Sequence, residues 1–227
     1  MRSTAAFFDV DGTLINANAV NYYLDLATHG VSPLQQGWMT ARLAAKIPYY
    51  LLLDRIDRDR FNHAFYQNYR GFSVDDCQQW SQRYFHQVLE PKLFPAALAC
   101  IAQHRAADRQ IILVTGSLDF IVAPLAEFLG ATALSTQIEI QAGQFTGRLI
   151  PPSLAGAGKV RCMQDLARTQ GIDLAQSYAY GDSKADLAML QSVGNPVAIN
   201  PDARLNRVAL DRGWPIETWK LKTYRTI

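Results

Sequence analysis

Cysteine is scarce in this chain of 227 residues, and its few cysteines are not paired along the sequence. Cys77, Cys100 and Cys162 lie far apart and form no CxxC motif. An odd number of widely spaced cysteines argues against a disulfide framework and against a zinc site. The pattern fits a reducing compartment, and we therefore predict a cytoplasmic protein.

Charge and long apolar runs are also limited. Charged residues make up 19% of the chain, and 22 basic against 20 acidic residues give a net charge of +2. This balance argues against nucleic acid as a partner, whereas a pI of about 8.4 permits an anionic small-molecule substrate. We see no apolar run of the roughly 20 residues that cross a bilayer, and no apolar segment typical of a signal peptide near the N-terminus.

Strand-like and helical segments alternate along most of the chain. With 49% hydrophobic residues, this length suggests one large domain, or one domain that carries a smaller insert. Residues 17 to about 90 are predicted to be mostly helical. The remaining predictions are strands at 5–10, 110–114, 177–180 and 196–199, a hairpin at 134–149, and helices near 95–107, 119–129, 159–170 and 185–191. The alternation predicts an α/β fold with a Rossmann-like, doubly wound parallel sheet.

Two aspartates end the first predicted strand. The segment FFDVDGTL, residues 7–14, places Asp9 and Asp11 one residue apart, and Gly12 and Thr13 follow. Side chains of an extended backbone alternate between faces, so both carboxylates point the same way. Two such charges repel unless a cation bridges them or one stays protonated. A bridged pair binds Mg²⁺, a split pair supplies a nucleophile and a general acid, and a plain turn is the alternative to both.

Polar groups also stand at the end of the next predicted core strand and at the start of a later helix. Thr115, Gly116 and Ser117 follow an apolar run, and their hydroxyl and N–H groups could hold phosphate oxygens. Ser117 could instead cap the helix that follows. Lys159 opens a helix, where a cation opposes the helix dipole unless an anion is bound there. A solvated lysine is the alternative.

The strand that ends near Tyr180 is followed by another acidic pair. Asp182 comes directly after it, and Asp186 lies four residues further on. Ser183 and Asp186 match a helix capping box, which is the structural alternative. That alternative leaves Asp182 unexplained. Because functional groups collect at the carboxyl ends of the strands in such sheets, we expect these acids to lie near the first pair.

Taken in order, these stretches resemble the four motifs of the haloacid dehalogenase (HAD) superfamily. The motifs correspond to Asp9–Thr13, the Thr115–Ser117 region, Lys159 and Gly181–Asp186. The resemblance covers about residues 5–200, and the helical segment is similar to the cap of the phosphoserine-phosphatase-like branch, subfamily IB. It implies a core domain formed by residues 1–16 and 91–227, with a helical cap domain inserted at 17–90.

The resemblance implies a Mg²⁺-dependent phosphatase that hydrolyses a small-molecule phosphomonoester through an aspartyl phosphate. Asp9 would be the nucleophile and Asp11 the general acid and base, with Lys159 as a third catalytic group. The metal would be held by Asp9, the Asp11 carbonyl and Asp182, with Asp186 orienting the site. The phosphoryl oxygens would be bound by Thr115, Gly116, Ser117 and Lys159.

The chain departs from phosphoserine phosphatases at two positions. Asn18 stands nine residues after Asp9, where those enzymes carry a glutamate for the substrate ammonium, and Ala185 replaces a usual asparagine. We therefore expect phosphoserine to be a poor substrate and keep histidinol phosphate, lipid phosphates and other small phosphates as candidates.

Basic residues lie beside an apolar run at 47–53 in the predicted cap. A basic and apolar lining would suit a substrate with a second anionic group or an acyl tail. The alternative is that apolar residues pack the cap while the basic side chains are solvated. The basic residues are Arg42, Lys46, Arg55, Arg58 and Arg60.

Three other classes of protein share parts of this pattern. A phosphomutase or phosphotransferase of the same fold would use the same residues. A receiver domain also clusters acids, a threonine and a lysine, but it normally has adjacent acids and no large insert. A P-loop fails because Ser153 and Val160 occupy positions that require glycine and a hydroxyl residue.

Overall fold

A computed structural model describes residues 3–221 and confirms the α/β class. The strands in this part of the chain are β1 (Ala5–Phe8), β2 (Gln110–Leu118), β3 (Thr132–Gln141), β4 (Gln144–Ile150), β5 (Tyr178–Gly181), β6 (Asn195–Ile199) and β7 (Ile216–Glu217). They form one sheet in the order β4-β3-β2-β1-β5-β6-β7. All neighbouring pairs are parallel except β3 and β4, which form the predicted antiparallel hairpin.

Helices connect most of the strands and form a large segment after β1. The α-helices of the described residues are α1 (Ala19–Thr28), α2 (Pro33–Ala44), α3 (Ile47–Ile56), α4 (Arg58–Tyr66), α5 (Val74–Tyr84), α6 (Pro95–Ala106), α7 (Asp119–Leu129), α8 (Ala157–Gln170), α9 (Leu187–Gln191) and α10 (Ala203–Arg212). A π-helical turn spans Phe85–Leu89. Short 3₁₀ turns lie at Gln67–Tyr69, Glu90–Lys92, Leu174–Gln176 and Lys184–Asp186. None of the helices placed between residues 3 and 221 has the length and apolar character needed to span a membrane.

The central strand is buried on both faces, as a doubly wound sheet requires. Ala5 and Phe7 pack into one core with residues of α8, α9 and α10. Ala6 and Phe8 point the other way and pack into a second core with residues of α6, α7 and the helical segment. This alternation explains the continuous apolar run before Asp9, because a central strand has no solvent-facing side.

The helical segment α1–α5 has an aromatic interior and a sparsely packed outer part. Phe61 and Phe65 stack at 5.2 Å between ring centroids, and Tyr50 contacts both rings edge-on. By contrast, α2 buries only Leu43 and α3 buries only Tyr50. The two helices therefore leave apolar side chains on the surface. The assignment of residues 17–90 to a separate cap domain stays a prediction.

Several element boundaries differ from the sequence predictions. Strand β2 runs on to Leu118, so Thr115–Ser117 lie within the strand instead of after it. The helix-cap alternative for Ser117 is wrong, because α7 begins at Asp119 with Leu118 as its N-cap residue. The capping box of Ser183 and Asp186 is present, at a 3₁₀ turn. Helix α10 and the two-residue strand β7 were not predicted from the sequence.

Candidate active site

Residue Gly12 forms the tight turn that brings the first and fourth motifs together. Its φ is +89°, a left-handed conformation that glycine adopts without steric cost. A Cβ atom at this position would lie 2.3 Å from Asp182 Oδ2, so no larger residue fits without displacing that carboxylate. The Thr13 hydroxyl, one residue further on, lies 3.2 Å from Asp9 Oδ2 and 3.4 Å from Asp182 Oδ1.

Three aspartates form an acidic cluster at the carboxyl ends of β1 and β5. Carboxylate oxygens of Asp9, Asp182 and Asp186 all lie within 4.8 Å of one another. Lys159 Nζ donates to Asp9 Oδ1 at 2.6 Å and to Asp186 Oδ1 at 2.7 Å. The side chains of Lys159, Asp9 and Asp186 are at most 8% exposed. The solvated alternative for Lys159 is therefore wrong.

Burial and mutual repulsion perturb the carboxyl groups of this cluster. Burial and the charge of Asp186 raise the pKa of Asp9 to about 7, although Lys159 acts in the opposite direction. Burial and the charge of Asp9 raise the pKa of Asp182 to about 9. Burial also opposes ionisation of Asp186, but Lys159 outweighs it and lowers the pKa of that carboxyl. The Lys159 ammonium thus outweighs the cost of burial for the Asp186 carboxylate. It does not do so for Asp9 and Asp182, whose pKa values stay raised.

The acidic cluster fits a hard divalent cation. When all three carboxyl groups are ionised, they and the Lys159 ammonium carry a formal charge of −2 in a largely buried site. A doubly charged cation would neutralise this excess, and carboxylate oxygens are the ligands that Mg²⁺ prefers. The Asp11 carboxylate does not belong to the cluster. A contact of the metal with the Asp11 backbone carbonyl stays a prediction.

Two hydroxyl groups bind the Asp11 carboxylate, which lies outside the acidic cluster. Tyr22 from α1 donates to Asp11 Oδ1, and Ser117 from β2 donates to Asp11 Oδ2. Burial raises the pKa of Asp11, while these two hydrogen bonds and the charge of Arg58 lower it and only partly offset the effect. The two aspartates of the first motif therefore occupy different environments, one beside a lysine and one between hydroxyl groups.

Every predicted site residue lines one cavity of about 250 Å³. These residues are Asp9, Asp11, Thr115, Gly116, Ser117, Lys159, Asp182 and Asp186. The Ser117 N–H donates to Thr115 Oγ1 at 3.0 Å, and its hydroxyl is engaged by Asp11. Ser117 thus orients the acid, and its direct contact with phosphate stays a prediction.

Several lining residues were missed by sequence reasoning. From the helical segment, Asn62 and Tyr66 reach the cavity beside Arg58, which the sequence placed only among the basic residues of the cap. Tyr66 donates to the Gly116 carbonyl at 2.8 Å, and Asn62 Nδ2 lies 3.3 Å from Ser153 Oγ. These residues carry no motif, because their position depends on how α4 packs against β2. No sequence signal identified them.

Asn18 lies at the junction of the core and the helical segment. It is the N-cap residue of α1, and its Oδ1 accepts hydrogen bonds from the N–H groups of Val20 and Asn21, both at 3.1 Å. The oxygen that would face a substrate ammonium is therefore occupied. Asn18 and Ala185 both line the cavity.

Of the basic residues predicted beside the apolar run, only Arg58 lines the active-site cavity. Lys46 Nζ donates to Asn68 Oδ1 at 3.1 Å, and the Arg42 guanidinium lies 5.5 Å from the Trp38 ring centroid. Arg55 and Arg60 are exposed. Most of these basic side chains are therefore solvated, as the alternative states, and Arg58 is the exception. The other half of that alternative is wrong, because Ile47, Tyr49, Leu51 and Leu52 are 41–59% exposed and do not pack the cap interior.

The chain belongs to the haloacid dehalogenase-like hydrolase family, whose model matches residues 6–191. It is 34% identical to phosphoserine phosphatase SerB1 of Mycobacterium tuberculosis, in an alignment that covers 96% of this chain and 72% of that protein. It is 25% identical to a histidinol-phosphatase of Neisseria meningitidis, over 95% of this chain and 98% of that protein. The chain is therefore a phosphatase of this family.

Solved structures share the same fold. A Bordetella pertussis protein of unknown function superposes with a TM-score of 0.81 at 25% identity, covering 95% of this chain and 98% of that one. A phosphoserine phosphatase, solved as an analogue of its phospho-aspartyl intermediate, gives a TM-score of 0.70 at 18% identity, over 95% of this chain and 93% of that one. These similarities confirm the phosphoserine-phosphatase-like assignment of the fold.

Proposed function

We propose that this protein is a Mg²⁺-dependent phosphomonoesterase that forms an aspartyl phosphate on Asp9. The observation that carries the proposal is the division of labour between the two aspartates of the first motif. Asp9 lies in the acidic cluster beside Lys159, and Asp11 lies between the hydroxyl groups of Tyr22 and Ser117. Two carboxyl groups in different environments can serve as a nucleophile and a proton donor.

Asp9 would attack phosphorus as its carboxylate form. Contact with the Lys159 ammonium favours the carboxylate form. It also orients the Asp9 side chain, because Oδ1 accepts from Lys159 while Oδ2 lies near the Thr13 hydroxyl. The new bond joins an Asp9 oxygen to phosphorus, and the bond from phosphorus to the leaving oxygen breaks. Lys159 would also neutralise the charge of the phosphoryl oxygens.

Asp11 would move the proton in both half-reactions. A raised pKa favours a protonated Asp11 at the start, so it can donate to the leaving oxygen. Once ionised, it can take a proton from the water that attacks the phosphorus of the aspartyl phosphate. Tyr22 and Ser117 donate to both Asp11 oxygens and stabilise the ionised form between the two steps.

A bound Mg²⁺ would be held by Asp9, Asp182 and Asp186, and would supply positive charge that neutralises phosphoryl oxygens. Thr115 and Gly116 would orient the phosphoryl group from the β2 side. The helical segment reaches over this edge of the sheet, since Tyr66 of α4 donates to the Gly116 carbonyl. Residues 17–90 would therefore act as a cap that limits the access of water.

Phosphoserine is not the substrate that we propose. A neutral amide whose oxygen already accepts two N–H groups offers no charge-assisted contact to an ammonium. Substrate panels should therefore include histidinol phosphate, lipid phosphates and other small phosphomonoesters.

Replacing the nucleophile tests the proposed function. We expect Asp9→Asn to abolish phosphate release from p-nitrophenyl phosphate while circular dichroism and the unfolding transition stay cooperative, since the amide keeps the volume of the carboxyl group. The wild-type protein should require Mg²⁺ and lose activity in excess chelator. Full turnover by Asp9→Asn, or by the wild type in chelator, would contradict the mechanism.

A further inference from the structure

A second cavity lies against the active-site cavity, beneath helix α3. Its volume is about 360 Å³, and it shares Asn18, Ala19 and Arg58 with the lining of the active-site cavity. The two cavities are therefore adjacent, and these three residues form a wall common to both. The other lining residues come from α1, α2, α3 and α4.

The lining of this second cavity is mainly apolar. Its hydrophobic side chains include Val20, Leu43, Ile47, Leu51, Phe61 and Phe65. Its only charged residues are Asp54 and Arg58, and these pair with each other at 2.6 Å. The Arg58 guanidinium also lies 4.8 Å from the Phe61 ring centroid.

The charge arrangement argues against a zwitterionic or doubly anionic leaving group. A leaving group with an ammonium would need a free carboxylate, and one with a second anion would need a free cation. In this cavity the one carboxylate and the one guanidinium already neutralise each other. An apolar group needs neither, and it gains free energy from removal of its surface from water.

The second cavity also opens to the surface, beside exposed side chains of α3. Ile47 and Leu51 line it and are nevertheless 41% and 59% exposed. A chain longer than the cavity can therefore leave past these side chains without a steric clash. This shape suits an extended hydrocarbon better than a compact ring system.

We propose that the substrates of this protein are amphiphilic phosphomonoesters, and that the second cavity binds their hydrocarbon chain. The proposal rests on the proposed function, because it places the phosphate at Asp9 and the chain beyond Arg58. Leu51 and Val20 are then specificity-determining residues.

A series of linear alkyl phosphates, from ethyl to dodecyl and each below its critical micelle concentration, tests the proposal in the wild-type protein with Mg²⁺. We expect kcat/KM to rise about three- to fourfold per added methylene while the chain enters the cavity, and then to level off near about eight carbons. A flat or falling series, with p-nitrophenyl phosphate still hydrolysed through Asp9, would overturn the proposal and leave the proposed function intact.

Neighbouring leucines of α3 provide a matched pair of variants. Leu51 lines the second cavity, whereas Leu52 does not, and the two are 59% and 56% exposed. Leu51→Glu should lower kcat/KM for octyl phosphate at least about tenfold and leave ethyl phosphate within about twofold, since a carboxylate on the cavity wall would lose water when the hydrocarbon chain binds against it. Leu52→Glu should change neither substrate. Equal effects of the two variants on octyl phosphate would contradict the assignment of the cavity.

Binding without turnover separates the two hypotheses. Octyl phosphate and ethyl phosphate can be titrated calorimetrically into Asp9→Asn with Mg²⁺. Tighter binding of the octyl ester by at least about tenfold, lost in Asp9→Asn combined with Leu51→Glu, supports the chain site independently of any rate measurement. Equal affinities for the two esters would refute the chain site whatever the activity measurements show.

Discussion

Replacing Lys159 by methionine removes the ammonium group that contacts both Asp9 and Asp186. Its Nζ lies 2.6 Å and 2.7 Å from their Oδ1 atoms, and all three side chains are at most 8% exposed. Burial alone would lower the pKa of Lys159, but the two carboxylates outweigh that effect and raise it. The lysine is therefore charged in the folded protein, and its loss leaves buried carboxylates without a partner.

The expected cost follows from this burial. Breaking a buried ion pair by removing one partner typically destabilises a protein by about 3–5 kcal/mol. For a chain of this size each kcal/mol corresponds to about 2–4 °C, so we expect Lys159→Met to unfold about 6–20 °C below the wild type in chelator. Protonation of Asp9, whose pKa is about 7, relieves part of the repulsion, so the difference should shrink as the pH falls from 8 towards 5.

Thermal and urea unfolding at pH 8, with and without Mg²⁺, measure this effect. Lys184→Met is the matched control, because Lys184 lies on the same edge of the sheet but is exposed, and we expect a change within about 0.5 kcal/mol. Mg²⁺ should stabilise Lys159→Met, since the cation replaces part of the lost positive charge. If Lys159→Met unfolds within 1 kcal/mol of the wild type in chelator, the lysine does not hold the acidic cluster together.

Further predictions concern the proton donor, the substrate and a buried histidine. Asp11→Asn should slow turnover about 10²–10⁴-fold and accumulate an acid-stable phosphoenzyme with p-nitrophenyl phosphate. Failure to trap any phosphoenzyme in this variant, which keeps Asp9, would point to a structural role for Asp11. L-phosphoserine should give a kcat/KM well below the best compound of a phosphomonoester panel, and a first rank for it would refute our interpretation of Asn18. Burial, with the Arg109 charge, lowers the pKa of His104 to about 4, so the neutral ring is favoured in the folded protein and stability should be lost as the pH falls from about 6.5 to about 4. His104→Gln, which keeps a hydrogen-bonding side chain near the Tyr180 hydroxyl, should remove this loss of about 2–3 kcal/mol, and parallel stability curves of variant and wild type would contradict it.

Sequence reasoning succeeded where one short segment carries both the fold signal and the chemistry. The apolar run before Asp9 predicts a central strand, and the same run places the acid at its carboxyl end. The segment with Asp182 and Asp186 also carries both signals, because its capping box and its acidic residues occupy the same few positions. The structure brings all of these acids to one cavity, as the parallel sheet requires.

Residues contributed by the packing of distant helices could not be found in this way. Tyr22 reaches Asp11, and Tyr66 reaches Gly116, only because α1 and α4 lie over the edge of the sheet. The helical pattern predicts that a helix exists, but it does not say which residue faces the acid. Strand β7 was missed because two exposed residues show no periodicity.

The distances along the chain between the partners at the acidic cluster have a consequence for synthesis on the ribosome. Lys159 lies 150 residues after Asp9 and 27 residues before Asp186, and the Thr13 hydroxyl faces a carboxylate 169 residues further on. A nascent chain emerges N-terminus first, so Asp9 and Asp11 leave the tunnel long before any of these partners exist. The first strand can acquire its catalytic surroundings only when most of the polypeptide has been made, which keeps the unfinished chain catalytically silent.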